Sequence, residues 1–159
     1  MKRLLSAVLA FALLFSLAAC GKKDAEAPDL AAYFTAQQEK YGPDNFPAVM
    51  DIAQDETALD MYYPGLKDYD LKQSMIQMPM ISAVPFEVAL IECANESDVE
   101  AVKGILQARI DYQIENGAFY PMTLEGWEKA ELIVNGNVVA LIVGSDMQAD
   151  MVSDFNALF

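Results

Sequence analysis

The sequence ELIVNGNVVALIV, residues 131–143, places two apolar runs on either side of Asn135-Gly136-Asn137. Asn-Gly between apolar runs is the strongest short-range signal of a β-hairpin, because both residues tolerate the positive φ of a tight turn. The second run, residues 138–143, is apolar throughout, which is typical of a strand covered on both faces. The stretch therefore predicts two paired strands, the second of them central in a sheet.

A strand followed by a helix is predicted upstream of this hairpin. Residues 87–93, EVALIEC, predict the strand. Ser97-Asp98-Val99-Glu100 has the pattern of a capping box, in which the Ser97 and Glu100 side chains each bond the other's backbone amide. Asn116-Gly117 is a helix stop. The apolar stripe of this helix consists of Val99, Val102, Ile105, Leu106 and Ile110.

Residues 76–86 alternate between apolar and other side chains, which predicts a half-buried strand. Pro79 and Pro85 lie within this stretch, and proline cannot donate a ladder hydrogen bond. The strand is therefore expected at a sheet edge or with a bulge.

Helices are predicted at both ends of the domain. Asp29 is placed to cap a helix that ends near Lys40, and Asp55 is placed to open another that runs through Tyr62. A short helical piece over residues 124–129 carries Trp127. The last helix is capped by Ser145 or Asp146, and its apolar face consists of Met147, Met151, Phe155 and Leu158.

These elements predict an α+β fold. We expect a small antiparallel or mixed four-stranded sheet with helices packed on it, in the order β-β-α-(α)-β-β-α, preceded by short N-terminal helices. Residues 46–159 form this single domain, and residues 29–45 form a short helix and linker.

The N-terminus has the layout of a bacterial lipoprotein signal. Lys2 and Arg3 form a basic head, residues 4–17 are apolar apart from two serines, and Leu17-Ala18-Ala19 leads into Cys20. Residues 1–19 are therefore predicted to be a signal peptide and Cys20 the lipidated first residue of a polar tether, residues 20–28. A covalent lipid of two or three chains holds a protein stably at a membrane. The alternative is a plain secretory peptide with Cys20 there by chance.

Charge limits the classes of partner. The 159 residues contain 10 Lys and Arg against 24 Asp and Glu, and removal of Lys2 and Arg3 with the signal peptide leaves 8 against 24, a formal charge of −16. Binding to nucleic acid needs Lys and Arg to displace counterions, so we expect no nucleic acid partner. Basic peptides or cations are compatible partners, although the charge also serves solubility.

The residue types give no sign of catalysis. The sequence contains no histidine, which removes Ser-His-Asp and Cys-His arrangements and every His-containing zinc site. Neither a Gly-x-Ser-x-Gly elbow nor a phosphate-binding glycine loop occurs. Cys93 lies in a strand-like run, where a free cysteine usually behaves as a small buried apolar residue. We expect no enzyme activity and no cofactor apart from the diacylglycerol and acyl lipid on Cys20.

Three clusters remain as weak candidates. Asp51, Asp55, Glu56 and Asp60 are spaced to gather on one helical face, although a solvated acidic face is the more common arrangement. Met75, Met78 and Met80 are soft ligands of the kind that select Cu(I), although methionine usually fills cores. Aromatic residues at element ends can anchor a partner. The partner-contact candidates are Tyr62, Tyr63, Tyr120 and Trp127.

Residues 46–159 resemble a known family. The stretch EVALIECANESDVEAVKGILQARIDYQ, then FYPMTLEGWEKAELIVNGNVVALIVGSD and a terminal amphipathic helix, is similar to a family of Gram-positive lipoproteins that is defined by a domain of unknown function. The resemblance implies the fold, a lipid anchor and the cell type. It implies no activity and no functional residues.

The sequence therefore predicts a lipoprotein at the outer face of the cytoplasmic membrane of a Gram-positive bacterium. We expect a binding or accessory module for another envelope protein or peptide. The alternatives are a small-solute or metal-ion binding lipoprotein and a carboxylate-based hydrolase of envelope polymers.

Overall fold

The computed structural model describes residues 27–159. The predicted signal peptide, the lipidation at Cys20 and most of the tether lie outside these residues. The strands are β1 (Val49–Asp51), β2 (Leu71–Pro79), β3 (Glu87–Cys93), β4 (Glu131–Asn135) and β5 (Val138–Val143). The helices are α1 (Leu30–Tyr41), α2 (Glu56–Tyr62), α3 (Val99–Tyr112), α4 (Pro121–Glu128) and α5 (Gln148–Asn156).

The strands form one antiparallel sheet in the order β1-β2-β3-β5-β4. The α+β class is therefore confirmed, and the sheet is antiparallel rather than mixed. The predicted hairpin is also confirmed, because Asn135 pairs with Val138 and the turn between them is Gly136-Asn137. Gly136 has φ +56°, a conformation that glycine adopts without steric cost. Strand β5 lies between β3 and β4, as its continuous apolar run predicts.

Two strand predictions are wrong in detail. The sheet has five strands rather than four, because the three residues of β1 carry too little pattern to be recognised as an edge strand. The strand expected over residues 76–86 instead spans Leu71–Pro79, and residues 80–86 form a loop. Strand β2 is not at an edge, and the bulge offered as the alternative is a register shift between Leu71 and Gln73, at the opposite end of the strand from Pro79. Both faces of the second half of β2 are buried. The alternation of apolar and other side chains in the sequence therefore does not indicate where the strand begins and ends.

Helices cover both faces of the sheet. In β3, Ala89 and Ile91 belong to the core beneath α2, α3 and α4, whereas Val88 and Leu90 belong to the core beneath α1 and α5. This alternation on a strand buried on both sides explains why all seven residues of β3 are buried. The sheet is therefore the middle of three layers.

The helix caps agree with the sequence at two helices and differ at two. The Asp29 carboxylate accepts from Ala32 N, and the Asp55 carboxylate accepts from Thr57 N and Ala58 N, as predicted. The capping box at Ser97 is wrong, because a 3₁₀ turn over Glu96–Asp98 precedes α3 and no side chain caps that helix.

A capping role for Ser145 or Asp146 is also wrong. No side chain caps α5, which begins at Gln148 after a 3₁₀ turn. The Ser145 hydroxyl instead donates to Pro85 O at 2.8 Å, which ties the start of this turn to the loop before β3. Within residues 27–159 no helix is long and apolar enough to span a membrane.

Candidate functional site

A buried ion pair joins the sheet to helix α3. Glu87 is the first residue of β3, and Arg109 lies in the last turn of α3. Arg109 Nε donates to Glu87 Oε1 at 2.9 Å and Nη2 donates to Oε2 at 2.8 Å, the bidentate geometry that suits guanidinium and carboxylate. The Tyr63 hydroxyl donates to the same carboxylate. Glu87 is 1% exposed and Arg109 5%, so the pair is screened very little by solvent.

Aromatic rings and one amide enclose the Arg109 guanidinium. Its central carbon lies 5.0 Å from the Tyr62 ring centre, 6.0 Å from that of Tyr63 and 5.4 Å from that of Trp127, within the range of cation–π attraction. With its amide oxygen turned toward Arg109, Gln113 accepts from both terminal nitrogens at 2.7 and 2.8 Å. The charged groups of the cluster are therefore paired with one another and hydrogen-bonded within it. The cluster stabilises the packing of α2, α3 and α4 on β3.

Arg109 is charged and Tyr63 is neutral at neutral pH. Burial alone lowers the pKa of Arg109, but the hydrogen bonds and negative charge of Glu87 outweigh this effect and raise that pKa. Burial raises the pKa of Tyr63 well above its usual value, and the charge of Glu87 raises it further. Tyr63 therefore stays protonated and keeps donating.

Because its pKa is raised in the folded state, Tyr63 makes the free energy of unfolding fall at alkaline pH. Its pKa is about 10 in the unfolded chain and higher in the folded one, so the unfolded chain releases its proton first as the pH rises. The stabilisation is complete below about pH 10 and falls above it, by about 1.4 kcal/mol per pH unit. We expect the free energy of unfolding from urea titrations to decline above pH 10, and to decline less steeply in Tyr63→Phe.

The Tyr63→Phe comparison separates this effect from other titrations. Tyr33 donates to Met151 O at 2.7 Å, and burial raises its pKa too, so the parent slope has more than one source. Tyr63→Phe should start lower at pH 8, because it loses a hydrogen bond to a charged group, yet have the shallower slope. Equal slopes for the parent and the variant would contradict the assignment.

The structure separates the four aromatic candidates. Tyr63 and Trp127 are buried in the core beneath α3, at 0% and 3% exposure, so a partner cannot reach them without unfolding. Tyr62 is half-buried against Arg109. Tyr120 is exposed at the start of α4 and is the candidate best placed to touch a partner.

Tyr120 belongs to a larger apolar surface that the sequence did not reveal as a unit. We define the distal surface as five exposed apolar side chains of the β2–β3 loop, the end of the α3–α4 connection and the first turn of α4: Met80, Ile81, Phe119, Tyr120 and Met122. Phe119 is the most exposed of them, at 86%. A Thr123 hydroxyl bond to Ala83 O at 3.1 Å holds the two segments together. A Cβ at Gly126 would clash with the Pro85 ring, so glycine there permits the same close approach.

The other clusters do not assemble into a site. Asp55 caps α2, Asp51 accepts from Ala53 N at 2.8 Å, and Asp60 pairs with Lys67 at 2.6 Å, so these acids have local roles. Within the part of the chain that the structure describes, no three metal-ligating His, Cys, Asp or Glu side chains come together.

The methionine and cysteine candidates are also separated. Met75 and Met78 belong to the cores on opposite faces of the sheet, and Met80 lies in the loop beyond β2. The Cys93 thiol is buried, and burial raises its pKa, with the charges of Asp98 and Glu92 adding to the effect. A buried thiol with a raised pKa is a poor nucleophile.

A cleft of about 1170 Å³ lies at the other end of the sheet, beside the β4–β5 turn. Its polar wall contains Glu92, which pairs with Lys72 at 3.4 Å and accepts from Gln73 Nε2 at 2.7 Å. Gln73 also donates to Pro28 O at 3.0 Å, so the chain enters the described fold at this end. If the protein bound a small solute, the alternative function considered above, this cleft is where the solute would bind.

A family model described as a domain of unknown function (DUF4358) matches residues 48–144. The matched span runs from the residue before β1 to the residue after β5, and includes Glu87, Arg109 and the distal surface. No curated protein and no solved structure matches the chain. The resemblance to a family defined by a domain of unknown function is confirmed at this level, and the chain belongs to the DUF4358 family.

Proposed function

We propose that this protein is a lipoprotein of the outer face of the Gram-positive cytoplasmic membrane, anchored through lipid on Cys20, and that it serves as a binding or accessory module for another envelope protein. Two observations support it: residues 1–19 have the layout of a signal peptide, and the chain that follows them has a formal charge of −16. That charge repels anionic lipid headgroups and holds the domain away from the membrane to which it is tethered.

The binding role is supported by the position of the distal surface, which lies at the opposite end of the domain from the point where the tether enters. The chain enters at Pro28, held by Gln73 near the start of β2, whereas the distal surface begins just past Pro79, at the end of that strand. Pro79 is six positions along the strand from Gln73, which corresponds to about 20 Å. A tether at one end thus presents an exposed apolar surface at the other, where an envelope partner can reach it.

Anchoring is tested by Cys20→Ala. We expect the parent chain in the membrane fraction and the variant released or mislocalised, because only the cysteine thiol can carry the thioether lipid. The measurement is fractionation of the producing cells, followed by immunoblotting. The far-ultraviolet circular dichroism of the released variant should match that of the parent, since Cys20 precedes the folded domain.

Recovery of Cys20→Ala in the membrane fraction in the same yield as the parent would contradict the anchor. The binding role is tested separately, by crosslinking the anchored parent in intact cells. A recurring partner in near-stoichiometric yield supports an accessory module, and crosslinking that is the same for the parent and for Cys20→Ala opposes one.

A further inference from the structure

We propose that the distal surface binds a basic amphipathic segment of a protein partner, with the partner's apolar side chains against Phe119, Tyr120 and Met122 and its Lys or Arg side chains against the surrounding carboxylates. This inference rests on the proposed function and names the chemistry of its partner. Three exposed acids lie in the same stretch of chain as Phe119, Tyr120 and Met122, namely Asp111, Glu115 and Glu128, and a fourth, Glu125, is already paired with Lys129.

Exposure of this kind is unusual for residues that only cover a core. Phe119, Tyr120 and Met122 are each more than half exposed within four positions of the chain, and Met80 and Ile81 add two more exposed apolar residues from the facing loop. Contiguous exposed apolar patches with a polar rim mark interaction sites on soluble domains. Aromatic and methionine side chains are also the types enriched at interfaces.

The charges around the surface specify a basic partner. No Lys or Arg occurs over residues 73–102 or 110–128, which include the whole loop and the whole connection. The nearest cations are already engaged, because Arg109 is buried against Glu87 and Lys129 pairs with Glu125 at 2.7 Å. A partner with Lys or Arg beside its apolar residues gains attraction here, whereas an acidic partner is repelled.

The same charges argue against the other occupants of an apolar surface. A second copy of the chain would bring its own formal charge of −16 and the same carboxylates against this rim. A membrane surface rich in anionic lipid would be repelled for the same reason, and the tether places the surface at the far end of the domain.

Hydrogen bonds stabilise the start of the connection, and a preorganised segment loses less conformational entropy on binding. Residues Gln113–Gly117 form a π-helical turn closed by Ala118 N donating to Gln113 O at 2.8 Å. The Gln113 side chain is fixed in turn by Arg109. The buried ion pair therefore supports the base of the segment that carries Phe119 and Tyr120.

The test measures the binding of labelled synthetic helices to the full chain purified from producing cells. A leucine–lysine amphipathic helix should bind, and a leucine–glutamate helix of the same pattern should not. Phe119→Ser/Met122→Ser should weaken binding of the lysine helix about tenfold or more, as expected for loss of apolar anchors. Added salt should also weaken it, because exposed charges are screened.

Leu158→Ser/Phe159→Ser is the matched control, since these exposed residues line the cleft at the opposite end. Equal binding of both helices, absence of binding, or equal losses in the two double variants would overturn the inference. Self-association of the parent that Phe119→Ser/Met122→Ser abolishes would overturn it in favour of a second copy. Membrane release of Cys20→Ala is independent of these results, so a failure here is distinguishable from a failure of the anchor.

Discussion

Glu87→Gln and Arg109→Met should each lower the free energy of unfolding by about 3–5 kcal/mol, the cost of leaving one charge of a buried pair without its partner. Glu87→Gln keeps the shape of the side chain but leaves the Arg109 guanidinium uncompensated at 5% exposure. Arg109→Met leaves the Glu87 carboxylate with only the Tyr63 hydroxyl as a donor. Urea unfolding followed by circular dichroism measures both losses.

The combined variant Glu87→Met/Arg109→Met/Tyr63→Phe shows whether the loss comes from the unpaired charge. It removes both charges and the hydroxyl, and replaces them with apolar groups of similar volume. Such replacements of a buried ion pair are often neutral or stabilising. We therefore expect the combined variant to be more stable than either single variant. If the combined variant instead loses the sum of the single-variant losses, the ion pair stabilises the fold by more than the desolvation of its two charges costs.

Local signals in the sequence predict much of this fold. The turn at Gly136 fixes the β4–β5 hairpin, and carboxylates at Asp29 and Asp55 begin two helices because each has free backbone amides to bind. The fifth strand was missed because β1 is three residues long and is defined only by its pairing with β2. The ends of β2 were misplaced because burial on both faces removes the alternation that marks a strand.

The ion pair was beyond prediction for a different reason. Arg109 follows Leu106 on the apolar side of α3, and Glu87 opens a strand that is otherwise mostly apolar, so each is a charge in an apolar context. Two opposite charges in apolar segments indicate a possible buried ion pair. They are 22 positions apart in the sequence, however, and only the packing of α3 on the sheet shows that they are in contact. The distal surface likewise depends on a loop and a connection distant in sequence.

Trp127→Ala should lower the free energy of unfolding by about 3–5 kcal/mol, as large-to-small changes of buried aromatic residues do. The side chain is 3% exposed, packs in the core beneath α3 and lies 5.4 Å from the Arg109 guanidinium, so both apolar burial and a cation–π contact are lost. The measurement is again urea unfolding by circular dichroism, because Trp127 is the one tryptophan of the chain and tryptophan fluorescence disappears with it. Trp127→Phe retains a ring and should cost less.

Tyr120→Ala is the matched control, since Tyr120 is an aromatic residue at the opposite end of the same helix, α4, but is 59% exposed. Its loss should change the free energy of unfolding by no more than about 0.5 kcal/mol, as for most exposed positions. The two residues were equal candidates for partner contact in the sequence, and the structure assigns one to the core and the other to the distal surface. A large loss for Tyr120→Ala, or a negligible one for Trp127→Ala, would contradict that division. If it holds, weakened partner binding in Tyr120→Ala reports on the surface itself, because the fold beneath it is intact.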